Sequence, residues 1–267
     1  MTTTLAKNIK QIPPLPDTIQ EINRIHKDEN STLEDMQHAI EKDPLLTAEI
    51  LRIVNSPMYG LKSTVTSIKQ AVSLLGKDTI KTFAMSSVVN SFTIDLSPYG
   101  MTAQEFSKAC DMQLALTVNW LARRKPTLLP IVGPASFLVD LGRVIISQTL
   151  IEDEKESIIE QALLSGEDIA SAEKTACGVQ ATDVTATLFY NWNFDPELIH
   201  IIRYSDDPEG THGEEREMAA ILKVIRETVV PNGEITEDSI AVAKDTIEEF
   251  NLDLEGYERA LDRLLDN

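Results

Sequence analysis

The chain has 267 residues, 42% hydrophobic and 25% charged, the balance of a globular protein long enough to bury a real core. Its formal net charge of −19 repels phosphate backbones and anionic lipid, which disfavours nonspecific nucleic-acid and membrane-surface binding. Cys110 and Cys177 have neither a metal-ligand spacing nor a disulfide framework, so both are expected to be buried, inert thiols.

The N-terminus, Met1 to Lys7, lacks the apolar stretch of a signal peptide. The longest apolar run, Phe137 to Ile146, is broken by Asp140 and Arg143 and reads as too short to span a bilayer, so a cytoplasmic location is expected. Pro13, Pro14 and Pro16 predict an extended lead-in to a helix capped by Asp17. Ser31-Thr32-Leu33-Glu34 has the spacing of a capping box, followed by Leu33, Met36 and Ile40 at helical intervals. Asp43-Pro44 is an N-cap with proline at the first helical position, opening a helix with Leu46, Ile50, Ile53 and Val54 on one face. Asn55-Ser56-Pro57 ends it, because a residue before proline avoids the α region, and Gly60 would let the chain turn. A helix over about 67–75 is expected to stop at Gly76.

Ser97-Pro98-Tyr99-Gly100 is the clearest break in the first half. Thr102-Ala103-Gln104-Glu105 is a second capping box, opening a helix through Phe106, Cys110, Leu114, Val118 and Leu121. The basic run Arg123-Arg124-Lys125 follows it, where cations complement a helix C-terminus. A stretch with proline and glycine, Pro126 to Pro134, separates this helix from an apolar helical run, Ala135 to Ile146. Further helices are predicted at about 154–164, 167–177, 180–191, 196–204, 214–228, 237–249 and 254–265, with a loop over Ser205 to Gly213. Convincing strands, repeats and linkers are missing from the pattern, which makes the fold class all-α. A phosphate-cradling glycine loop, a zincin His-Glu spacing and a nucleophile elbow are missing too. Trp120 and Trp192 read as core anchors.

Four blocks, in order, resemble the HDOD (HD-related output domain) family, a bacterial signalling-associated branch of the HD phosphohydrolase superfamily. They are Ile12 to Pro16; Glu41 to Ala48 leading into Val54 to Gly60; Ser67 to Gly76; and Leu138 to Val144 with Asn191 to Pro196. The resemblance covers about 12–208. It implies an N-terminal helical bundle, assigned to 1–98, packed on an HD-like bundle, assigned to 99–267 with a helical extension beyond the matched part. Pro14, Pro16, Asp43, Pro44, Asn55, Ser56, Tyr59, Gly60, Gly76, Gly142 and Trp192 are the motif's structural residues under this reading.

An active HD phosphohydrolase would need histidines and a His-Asp pair around its metal, and the corresponding positions here hold none. They hold Cys110-Asp111, Val139-Asp140, Ala181 with Asp183 nearby, and Tyr204-Ser205-Asp206. Valine offers a metal no lone pair. His26 and His38 lie on polar helix faces, His200 is expected to be half-buried and structural, and His212 falls in a loop. Asp140 is expected to pair with Arg143 three residues on, while Asp183 and Asp206 read as solvent-facing or capping groups. Cys110, Asp111, Val139, Asp140, Arg143, Ala181 and Asp183 therefore mark the vestigial pocket, with no catalytic residue, metal ligand or cofactor assigned.

The expected function is that of a pseudoenzyme: a non-catalytic signal-transduction module acting by protein–protein interaction. Its negative charge suits a protein partner with a basic surface, and neither nucleic acid nor membrane insertion is expected. The alternative is a metal-dependent phosphohydrolase of nucleotides or cyclic dinucleotides with a degenerate site. A third reading keeps Asp140 and Arg143 beside a dry ligand-sensing pocket.

Overall fold

The computed structural model describes residues 1–12, 14–57, 63–89 and 94–266. Pro13, Met58, Tyr59 and Gly60 of the motif blocks lie outside the described residues. Among the described residues the chain is all-α, with fifteen α-helices and a single isolated β-bridge between Leu96 and Met101. It divides into two compact units, each assembled from separate stretches of chain. The first comprises Met1–Pro13, Thr93–Gln113 and Leu138–Leu254; the second comprises Pro14–Phe92, Leu114–Phe137 and Glu255–Asn267. The division at 98/99 is one of linear sequence, whereas these units are defined by packing.

In the second unit, α2 (Asp17–Lys27), α3 (Leu33–Glu41) and α4 (Pro44–Val54) pack on α5 (Ile68–Val89). Pro16, not Asp17, is the N-cap of α2, and Asp17 is its first residue, where its charge suits the helix dipole. The box on α3 is Thr32 with Asp35, one residue later than expected. Ser31 Oγ is committed elsewhere, donating to the Asp28 carbonyl at 2.7 Å. Leu33 is 45% exposed, while Met36 and Ile40 are buried. The Asp43 carboxylate accepts from Leu45 N and Leu46 N at 3.0 and 3.1 Å, and Leu46, Ile50, Ile53 and Val54 are buried as their spacing predicts. Asn55 caps α4 and ties it to the following segment, donating to Val65 O and accepting from Val65 N, both at 2.8 Å. Ser56 N returns to Ile53 O. Gly76 does break the helical backbone (φ +81°), but a second helical segment resumes at once, so α5 is a kinked pair and not a terminated helix.

The expected spacer Pro126 to Pro134 is largely helical: a 3-10 turn at Pro126–Leu128 leads into α7 (Leu129–Leu138), which carries Pro134 inside it. Trp120 meets Tyr257 edge-on at 5.5 Å between ring centroids, and both are buried. Trp120 lies on α6 (Ala103–Leu121) and Tyr257 on α15 (Leu254–Leu265).

The first unit holds α1 (Thr3–Gln11), the start of α6, and α8 (Gly142–Glu152), α9 (Glu156–Ser165), α10 (Ile169–Cys177), α11 (Ala181–Asn191), α12 (Pro196–Arg203), α13 (Gly213–Thr228) and α14 (Glu237–Glu249). Helix α1 escaped the sequence pattern; Thr2 caps it, and Leu5 and Ile9 bury its apolar face. Buried Asn8 donates to Thr149 Oγ1 on α8 at 3.0 Å. Thr102 and Glu105 form the predicted box on α6, with Thr102 N to Glu105 Oε2 at 2.7 Å. Pro126–Glu152 as a whole is long and apolar enough to cross a bilayer, unlike the shorter run considered from sequence, but most of it is protein interior. Trp192 is half-buried and stacks at 6.0 Å on buried Phe189.

Candidate functional site

The run Ala135 to Ile146 is not one helix. Val139–Leu141 is a 3-10 turn, and α8 starts afresh at Gly142. The reason lies at Gly142, whose helical backbone packs directly on α11. A Cβ there would stand 2.1 Å from the Ala181 carbonyl oxygen, a contact no side chain survives. Gly142 N donates to Thr185 Oγ1 at 2.8 Å, and that hydroxyl lies 2.8 Å from the Val139 carbonyl. This contact fixes the turn and aims Asp140 inward, where it is 3% exposed.

Two arginines meet Asp140. Arg143 Nη1 lies 3.3 Å from Oδ1, as the sequence spacing predicts. Arg226, on the last turn of α13, lies closer: Nη2 is 3.1 Å and Nε 3.3 Å from the same oxygen. Gln113 Nε2 donates to Oδ2 at 3.1 Å. Arg226 Nη1 also reaches Asp206, whose other carboxylate oxygen accepts from Thr182 Oγ1 at 2.9 Å. Asp206 is thus a half-buried ion-pair partner of Arg226 and not a helix cap. Behind Arg143, Glu173 Oε1 is 3.5 Å from Nε and accepts from the Tyr99 hydroxyl at 2.9 Å; its other oxygen accepts from Ala181 N at 2.7 Å.

Burial alone would hold Asp140 protonated, but Arg143 and Arg226 outweigh it, and its pKa falls from 3.8 to about 2. Burial opposes ionisation of Asp206 too, and Arg226 again prevails, lowering it. Glu173 goes the other way: its burial exceeds the help from Arg143 and its hydrogen bonds, and its pKa is raised. Burial also pushes up the Cys110 thiol, with Asp140 adding to the effect.

A cavity of about 510 Å³ opens beside this network, lined among others by Asp140, Arg143, Gln180, Asp206, Lys223 and Arg226. Of the residues marked from sequence, Asp140 and Arg143 line it. Cys110 is buried on α6 within the field of Asp140, and Asp111 is half-buried beside it. Val139 and Ala181 are buried and contribute backbone groups, while Asp183 accepts from Gln180 N in the N-terminal box of α11. Arg226, Glu173, Gln113, Tyr99 and Thr185 were not anticipated. Glu173 had a signal, a carboxylate on the apolar face formed by Ala172, Ala176 and Cys177.

The residues at Asp140 do not fit an HD-type metal centre. A divalent cation would meet two guanidinium groups and no imidazole. His200 is exposed, against expectation, 3.4 Å from Glu215 on α13; His212 is exposed at the N-cap of that helix; His26 and His38 belong to the other unit. Among the described residues, no three His, Cys, Asp or Glu side chains converge as a metal-binding group.

Residues 12–208 match the HDOD domain. The chain belongs to the HDOD family. Solved structures share the fold over nearly all of the chain. One, a Shewanella amazonensis SB2B protein with a provisional phosphohydrolase name, has a TM-score of 0.75 at 22% identity, covering 99% of this chain and 94% of that one. A Geobacter sulfurreducens HDOD domain protein of unknown function gives 0.68 at 18%, covering 97% and 92%. A Campylobacter jejuni virulence factor gives 0.61 at 28%, covering 100% and 99%. An uncharacterised Treponema pallidum (strain Nichols) protein is 32% identical over 73 residues, 27% of this chain and only 14% of that protein. Arg226 lies past the family's matched region, in α13.

Proposed function

We propose that this HDOD chain is a non-catalytic regulatory module that works through contact with other proteins. The observation that carries the reading is the double ion pair on Asp140. Arg226 supplies, from within the chain, the positive charge that a metal would bring to that carboxylate. A guanidinium has no coordination site for water and does not lower a water's pKa, so it neutralises the carboxylate without creating a nucleophile. Output then falls to the surface, where a charge of −19 suits a basic partner whose association weakens with salt.

One observation favours the competing reading, a phosphohydrolase of nucleotides or cyclic dinucleotides. The cavity beside Asp140 also presents Arg143, Lys174, Lys223 and Arg226, cations that suit phosphate. Purified protein supplied with Mn²⁺, Mg²⁺ or Fe²⁺ separates the two. The regulatory reading expects no turnover of cyclic dinucleotides or nucleotide monophosphates above the Asp140→Asn variant. Turnover abolished by that substitution overturns it.

A further inference from the structure

In the second unit, four arginines line one small cavity. Arg123 and Arg124 reach it from the turn after α6, and Arg259 and Arg263 from α15. The cavity measures about 140 Å³, its other lining residues are Asn119, Trp120 and Gly256, and no carboxylate is among them. Glu255 stands at its edge, 3.0 Å from Arg124 Nη2 and 3.0 Å from Arg259 Nη1. In a chain with 24 basic and 43 acidic residues, such a gathering is not a sampling of the average surface.

Helix dipoles explain part of it, since cations after α6 and in the last turn of α15 face helix C-termini. They do not explain Arg259, and Arg259 and Arg263 are like charges at i, i+4, a destabilising pair. Glu255 bridges Arg124 and Arg259. The planar forks of arginine match phosphate oxygens bidentately. The wall is rigid, because Trp120 is 3% exposed and held edge-on against Tyr257.

We propose that this pocket binds the phosphate group of a small soluble phosphate compound, pyrophosphate and the phosphates of a free nucleotide being of the right chemistry. The site is independent of the Asp140 network and of the function proposed above.

The chain contains two tryptophans, so Trp192→Phe leaves Trp120 as the sole indole reporter in the full-length protein. Titration with inorganic pyrophosphate at low salt is expected to change Trp120 emission saturably, with the same midpoint by calorimetry. Arg259→Gln with Arg263→Gln, both exposed positions that should leave the circular-dichroism melt in place, is expected to weaken binding by about tenfold or more. No saturable response, or one with an unchanged midpoint in the double variant, overturns the proposal. A parallel arm uses phosphatidylglycerol vesicles. Vesicle binding without a pyrophosphate response also overturns it, because the ligand would then be a lipid surface.

Discussion

Arg226 Nη2 stands 3.1 Å from Asp140 Oδ1, joining a residue of the HDOD core to one in the helix that follows the matched region. The pair is nearly sealed, with side-chain exposures of 12% and 4%. A buried charge is tolerable only when it is paired and hydrogen-bonded, so each residue obliges the chain to keep the other.

Arg226→Ala leaves Asp140 and Asp206 short of a partner in a buried site. The expected loss is about 3–5 kcal/mol in urea unfolding, the range for breaking one side of a buried pair. Adding Asp140→Asn should recover part of that loss, and a double-mutant cycle measures the coupling. Additive losses would show that the two residues do not interact. Arg226→Lys should rescue poorly, because an ammonium cannot span Asp140 and Asp206 as the planar fork does.

The acid limb of stability follows from two opposed shifts. Asp140 is depressed from 3.8 to about 2, so its contribution is full above about pH 4 and lost as pH falls through about 2. That difference is worth roughly 2 kcal/mol. Glu173 is raised above 4.5, so it favours the folded state at low pH and loses that contribution as pH rises through its folded value. Acidification from neutrality should therefore first raise stability slightly through Glu173, then lower it below pH 4 through Asp140. Equilibrium unfolding at stepped pH checks this, and Asp140→Asn should flatten the lower limb.

Gly142→Ala places a Cβ 2.1 Å from the Ala181 carbonyl, backbone against backbone, with no flexible side chain to give way. A loss of about 3 kcal/mol or more is expected, at the upper end for overpacking. A melting temperature equal to that of the wild type would mean that α8 and α11 do not approach so closely.

Both thiols should be unreactive in the folded protein. Burial raises Cys110 well above its ordinary value and takes Cys177 up to about 11. Ellman's reagent should find no fast-reacting thiol at pH 8 until denaturant is added.

Much of this fold was legible in the sequence because caps and prolines act locally. Asp43-Pro44 and Thr102 to Glu105 each satisfy orphan backbone donors within one turn, and each marks a helix start in the structure. The misreadings came where packing overrides the local pattern. Pro134 is carried inside α7, and Gly76 bends a helix that the pattern stops there. Helix α1 has too few apolar residues to announce itself, yet Leu5 and Ile9 are buried. In the site, the Asp140–Arg143 pair was visible because it is three residues apart. The Asp140–Arg226 pair was not, because 86 residues separate its members and only the folded chain brings them together.

The central claim is that an arginine has taken over the charge a metal would carry at Asp140, and metal content tests it most directly. Protein purified without chelator from cells grown with added manganese and iron should hold far less than one equivalent of any divalent transition metal by elemental analysis. One equivalent per chain, lost on Asp140→Asn, would contradict the account.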